Sequence, residues 1–376
     1  MPSRMRLPIL ESSAPKSPAP AGFDTGPRSI GAVKVLRISL TDRCNFRCVY
    51  CMPEEGVRWL PKDDLLTFEE IADVVRAAIE VHGIRRFKLT GGEPTVRHGL
   101  TDLVRMLRRI EGIEDLSLTT NGMLLEDLAI PLRESGLDRV TVSIDSLNAD
   151  RFRKITRTGE LSAVLRGLDR CDDAGYSGLK INCVAMRGTN DDEFANFARL
   201  TLARRLTVRF IEYMPLGDAA VMHTSRSTIS NDEIGPAGGC GAQDRGDVFI
   251  AETEIRSRIE SELGPLVSVD RNTEPGVGPA IVYRLANDNP LGRLGFISAM
   301  SAPFCSTCNR LRLTAEGVLR SCLFEGGEVA IRSIIRSTSD EHDRRQLVAH
   351  AMTECVRLKP DVHSGHGNRQ MSQMGG

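Results

Sequence analysis

No stretch of this 376-residue chain strings together the ~20 apolar residues that a membrane-spanning helix needs. Its first twenty residues, MPSRMRLPILESSAPKSPAP, lack the apolar core of a secretory signal. Two early arginines raise an organelle transit peptide as an alternative. The prolines, Glu11 and Asp24 oppose an amphipathic helix there, so a cytoplasmic location is expected. Excess charge is missing too. Lys and Arg number 49 against 50 Asp and Glu, which excludes a nucleic-acid binder that relies on a broad basic surface. No GxxxxGKS or GxxxxGKT loop occurs, so a nucleoside triphosphate would need scattered Arg and Lys instead of the usual NTPase cradle. None of the seven histidines falls in an HExxH pattern. Ten cysteines in a long chain without a secretory leader do not make a disulfide framework.

The chain is 41% hydrophobic and 26% charged, ordinary for a globular protein, and its length predicts two domains. Residues 1–30 hold six prolines and are expected to be a disordered tail. Strands are predicted at 33–40, 85–90, 115–120, 139–145, 179–186 and 206–214. Helices lie between them. In the first, Thr67 and Glu70 form a capping box, Ile71, Val74, Val75, Ala78 and Ile79 share a face, and Gly83 ends it. Strands alternating with helices predict an α/β fold with a parallel sheet, either a partial (β/α)6 barrel or a doubly wound sheet. In both, ligands bind at the carboxyl ends of the strands. The pattern fails from about 215 to 250, where 217–250 looks like an insertion. A second domain with a helix at 253–263, a strand at 280–286 and a helix at 341–357 follows. The final HSGHGNRQMSQMGG is expected to be a flexible tail, in which His363 and His366 are solvated.

Six cysteines fall into two trios, Cys44, Cys48, Cys51 and Cys305, Cys308, Cys322. Three thiolates leave one metal position open, which favours an iron–sulfur cluster with an exchangeable corner. Zinc is the alternative and would seek a fourth ligand, with His82 the nearest downstream histidine. Cys171, Cys183, Cys240 and Cys355 stand alone and receive no role. After the second trio, NRLRLT alternates Arg310 and Arg312 with Leu311 and Leu313. On a strand both guanidiniums face one side, suited to a polyanion or a bidentate acceptor. The alternative is a solvated edge strand. Arg37, Lys88, Lys180 and Arg209 lie on four predicted strands, each flanked by apolar residues, and are expected to point into one interior.

TDRCNFRCVYCMP, with Tyr50 just before the third cysteine, and KLTGGEPTVR at 88–97 resemble the radical S-adenosylmethionine (SAM) superfamily. FCSTCNRLRLTAEGVLRSCLF and the terminal Gly375-Gly376 narrow the resemblance to the GTP 3′,8-cyclase family of molybdenum cofactor biosynthesis, from about residue 30 to the end. The resemblance implies a radical SAM partial barrel over 31–214. It also implies a C-terminal α+β domain over 215–376 carrying a second 4Fe-4S cluster. By motif position it implies SAM contacts at Tyr50, Gly92, Ser143 and Met214, and GTP contacts at Arg37, Lys88, Thr119, Lys180, Arg310 and Arg312. The six trio cysteines would ligate the two clusters, while Arg310, Arg312, Gly375 and Gly376 would serve catalysis. Where the family often carries Arg, Lys88 keeps the charge but loses the fork. A 5′-deoxyadenosyl radical would abstract the C3′ hydrogen of GTP and C3′ would attack C8. Cyclic pyranopterin monophosphate synthase would consume the product. The reductant and the oligomeric state, a homodimer being one option, stay open. A peptide maturase of the same superfamily and a zinc-bound scaffold are the rival assignments.

Overall fold

The computed structural model describes residues 9–10, 26–216, 248–270, 273, 277–286, 289–365, 367, 369 and 371–374. Most of the expected tail, most of the insertion, Cys240, His366, Gly375 and Gly376 lie outside the described residues. After the short β1 (Ile9–Leu10), six strands run parallel in chain order. They are β2 (Val35–Ser39), β3 (Arg86–Thr90), β4 (Asp115–Thr120), β5 (Arg139–Ser143), β6 (Leu179–Ala185) and β7 (Leu206–Glu212). Period-two alternation explains their two faces. Leu36, Ile38, Phe87, Leu89, Leu118, Val142, Ile181, Val208 and Phe210 are buried against the helices. The intervening residues, Arg37, Lys88, Lys180 and Arg209 among them, face inward.

The helices on the outside are α1 (Phe68–His82), α2 (Leu100–Arg108), α3 (Leu125–Glu134), α4 (Ala149–Thr156), α5 (Leu161–Asp173) and α6 (Phe194–Ala203). The Thr67–Glu70 capping box forms as predicted, and Gly83 takes φ +64 to close α1. No described helix is long and apolar enough to cross a membrane.

The C-terminal part comprises α7 (Glu252–Leu263), β8 (Leu266–Ser268), β9 (Ile281–Leu285), β10 (Arg293–Ile297), β11 (Arg310–Leu313), β12 (Val318–Arg320), β13 (Glu328–Ala330), α8 (Arg332–Ser337), α9 (Glu341–Arg357) and α10 (Met371–Met374). Its strands join the barrel sheet at both edges. β10 pairs parallel with β7, and β11 pairs parallel with β2. Eight parallel strands therefore form where six were predicted. The full order is β1-β13-β12-β11-β2-β3-β4-β5-β6-β7-β10-β9-β8. The sheet curls, since one cavity is lined from β11 at one side and from β7 and β10 at the other. Helix α9 packs on α1, with Arg344 on Asp73 and Arg345 on Glu80. His82 Nε2 lies 2.8 Å from the Ala349 carbonyl.

Candidate active site

The curled sheet encloses a cavity of about 220 Å³. Arg37, Lys88, Lys180, Arg209, Arg310 and Arg312 all line it, from five strands, as expected from the sequence. In register, Arg312 lies beside Arg37 and Arg37 beside Lys88, so three cations sit side by side across three strands. The Lys88 ammonium donates to Thr119 Oγ1 at 3.2 Å and to Thr141 Oγ1 at 3.4 Å. Thr119 thus faces the same space. Arg139 is spoken for by Asp115, which accepts its Nε at 2.6 Å.

Burial and mutual repulsion act in the same direction here. Burial, then Arg312, Arg310 and Arg209, hold the Arg37 guanidinium well below its usual range. Burial and Arg209 bring Lys180 down to about 7. Burial and Arg310 bring Arg312 down to about 10. Six cations crowded into one enclosure are costly without counter-charge. Such an enclosure suits a polyanion.

The two trios take different places. Cys44 follows β2 beyond its carboxyl end, in a loop where Asn121 donates to Asn45 Oδ1 at 2.8 Å. The glycines of the GGEP segment pack on this loop. Gly92 N donates to the Thr41 carbonyl at 2.7 Å, and a Cβ on Gly92 would stand 2.5 Å from the Asp42 carbonyl. Their smallness serves loop-to-loop contact. Glu93, which sequence reasoning passed over, is buried and accepts from Thr95, Thr120 and the Asn121 amide. Burial, followed by Glu93, pushes the Cys44 thiol up to about 11, and burial pushes Cys51 up to about 12.

Cys308 precedes β11 by two residues, and Cys322 follows the antiparallel β12. The second trio therefore lies toward the amino end of β11, contrary to the expectation that ligands bind at the carboxyl ends of the strands. All three of its cysteines line the cavity, whereas the first trio lies outside that wall. Of the SAM contacts expected by resemblance, Met214 lines the cavity, while Tyr50, Gly92 and Ser143 do not. Burial opposes ionisation of Cys308, but Arg310 and Lys359 draw its thiol below the ordinary value. Lys359 is buried, and its ammonium donates to the carbonyls of Cys308 at 3.1 Å and Arg310 at 3.2 Å. No spacing in the sequence marked it.

The C-terminal segment overturns its expectation as a flexible, solvated tail. His363 is buried, stacks on Phe324 with centroids 4.0 Å apart, and sets Nε2 2.9 Å from the Ala299 carbonyl. Its backbone lies against Cys305 and that of Ser372 against Cys51, each easing ionisation of the thiol against the cost of burial. The segment thus touches one thiol of each trio. Arg369 bridges Glu316 and Glu328, both at 2.8 Å. Glu212, at the end of β7, accepts from the Met300 and Ser301 amides and fixes the approach to the second trio.

Among the described residues no three Cys, His, Asp or Glu side chains converge to hold a single metal ion. His82 is engaged with α9, away from the first trio.

A Radical SAM superfamily model matches residues 38–201, and a Molybdenum Cofactor Synthesis C model matches 233–365. The GTP 3′,8-cyclase of Pelotomaculum thermopropionicum is 44% identical over 348 residues, covering 92% of this chain and 98% of that one. That of Thermodesulfovibrio yellowstonii is 41% identical, with the same coverage of both chains. Among solved structures, Streptococcus suis SuiB bound to S-adenosylmethionine matches with TM-score 0.48 and 13% identity, over 77% of this chain and 60% of that one. Sustained identity across both halves, over a sheet that unites them, makes this chain a member of the GTP 3′,8-cyclase family of radical SAM enzymes.

Proposed function

We propose that the enzyme converts GTP to 3′,8-cyclo-7,8-dihydro-GTP, the opening step of molybdenum cofactor biosynthesis. The observation that carries this is the ring of six cations facing the second cysteine trio across one cavity. Family membership implies SAM and an iron–sulfur cluster, and the first trio fits the cluster. Its cysteines are half-buried and their thiols drawn upward in pKa, so a multivalent cationic centre would be needed to hold them as thiolates. Cys44, Cys48 and Cys51 would bind that cluster. Cys305, Cys308 and Cys322 would hold a second, which would supply an anchoring point for the guanine. When bound, the first cluster with SAM supplies a carbon-centred radical that takes the C3′ hydrogen of the substrate.

Tyr50, Gly92, Ser143 and Met214 would hold SAM. Arg37, Lys88, Lys180 and Arg209 would neutralise the triphosphate, with Lys88 held ready by Thr119 and Thr141. Arg310 and Arg312 stand between the second trio and Arg37, placed to contact both base and phosphate. Enclosure by the sheet excludes water from the reacting ribose. Gly375 and Gly376 would serve catalysis, as the family resemblance implies. The product would pass to cyclic pyranopterin monophosphate synthase. Anaerobic incubation with GTP, SAM and dithionite tests the proposal. A cyclised nucleotide and 5′-deoxyadenosine are expected, and intact GTP after many equivalents of reductant would refute it.

A further inference from the structure

The cavity is rich in donors, yet one of its buried atoms is an acceptor left without a donor. Asn182 follows Lys180 by two residues on β6, so both side chains share the inner face and both line the cavity. Asn182 Oδ1 is buried and has no hydrogen-bond partner. Its register neighbours are Ser143 on β5 and Arg209 on β7, and neither donates to it. A buried carbonyl in this state forfeits on the order of a hydrogen bond's worth of stability. Turning the amide over would only exchange an orphaned acceptor for an orphaned donor. A group that both donates and accepts would satisfy either orientation, and a hydroxyl is such a group.

Position in the sheet selects which hydroxyl. Lys180, two residues before Asn182, and Arg209, beside it on β7, are among the cations assigned to the triphosphate. Ser143, beside Asn182 on β5, is assigned to SAM. Asn182 thus stands where the two sets meet, and the substrate ribose must lie there, between its own phosphates and the radical source. The C3′ centre loses its hydrogen and gains a bond to C8, so the hydroxyl it keeps is reoriented as the ring closes. The 2′-hydroxyl is spared that change, and an anchor on it does not oppose closure.

We propose that Asn182 binds the 2′-hydroxyl of the substrate ribose and thereby selects GTP over 2′-deoxy-GTP. The inference rests on the GTP assignment above and adds a specificity determinant to it. A carboxamide placed to meet a hydroxyl rejects the analogue lacking it, because the buried amide is left unpaired.

Equilibrium binding of GTP and 2′-deoxy-GTP to the reconstituted enzyme, without SAM or reductant, tests this. The same measurement is made on Asn182→Ala and Asn182→Ser, with melting temperatures as a check on folding. Wild type is expected to hold GTP about tenfold more tightly than 2′-deoxy-GTP. Both variants are expected to bind the two nucleotides alike, at the wild-type affinity for 2′-deoxy-GTP. A variant that keeps the tenfold ratio overturns the inference, and so does a wild type that binds both nucleotides equally. In those two outcomes GTP still binds, and the GTP assignment stands. A wild type that binds neither nucleotide overturns both.

Discussion

The phenol of Tyr50 donates to Asp145 Oδ2 at 2.7 Å, joining the loop of the first trio to the carboxyl end of β5 across 95 residues. Asp145 Oδ1 accepts from the Val184 amide at 2.8 Å, so one carboxylate gathers the cysteine loop, β5 and β6. Burial pushes this carboxyl up to about 6 despite both donors. Tyr50→Phe leaves the carboxylate short of one partner. The expected cost is about 1–3 kcal/mol, seen as a lower melting temperature and faster loss of iron to a chelator.

Gly92→Ala is expected to be more damaging than its single added methyl suggests. The new Cβ would press on the backbone carbonyls of Asp42 and Arg43, which have no soft side chain to yield. The loop must shift, and Cys44 with it. Iron content of anaerobically purified protein should fall by about a third to a half of the wild-type value as the first trio fails to close, with the second unaffected.

Lys180 makes GTP binding depend on pH. Its folded-state pKa is lowered from 10.5 to about 7, chiefly by burial and then by Arg209 and Arg139, with Asp115 opposing. Between pH 7 and 10.5 the unfolded chain binds more protons than the folded one, so this group makes the empty enzyme more stable as pH rises through that window. A bound triphosphate favours the ammonium, so binding at pH 8 is expected to take up a proton. Calorimetric titration in buffers of different ionisation enthalpy would show up to about one proton per GTP; no uptake would refute the coupling.

Arg312→Met should separate function from stability. Arg312 helps to hold Arg37 below its usual range, and its own pKa is lowered by burial and Arg310. Replacing it relieves a crowded positive charge with a flexible, uncharged side chain. The melting temperature of the empty enzyme is expected to rise, while GTP affinity falls by about a hundredfold. Paired melting and binding measurements decide it.

The Ser372 amide offers a test of the C-terminal segment that leaves its length unchanged. Ser372→Pro removes the N–H that reaches Cys51, and proline is tolerated in a first helical turn. An N–H donated to sulfur stabilises the reduced, more negative cluster. The first cluster's midpoint potential should fall by up to about 60 mV, a tenfold change for one electron, as read by redox titration.

Much of this arrangement was legible before any coordinates. The capping box at Thr67 and Glu70, the six central strands and the four inward cations follow from local periodicity, which a strand or helix expresses within a few residues. What escaped depends on partners far apart in the chain. Arg310 to Leu313 read as a strand, but nothing local states that it lies parallel to Val35 to Ile38. His363 and Ser372 sit in a stretch rich in Gly, Ser and Asn, whose composition imitates a solvated tail. They are held instead by Phe324, Ala299 and the two cysteine loops. Asp145, Glu93 and Glu212 escaped because a buried carboxylate is recognised by its donors, most of which come from other elements.

The addition of β10 and β11 to opposite edges of the sheet has a consequence during synthesis. When residue 214 leaves the ribosome, β2 and β7 both present unpaired backbone, and their partners have yet to be made. At ~5–20 residues per second, the stretch to Leu313 occupies roughly 5–20 seconds. For that time the nascent chain carries two raw strands open to wrong pairing. A chaperone that shields them, or slow codons placed after β11 and not before it, would favour the intact barrel over aggregates.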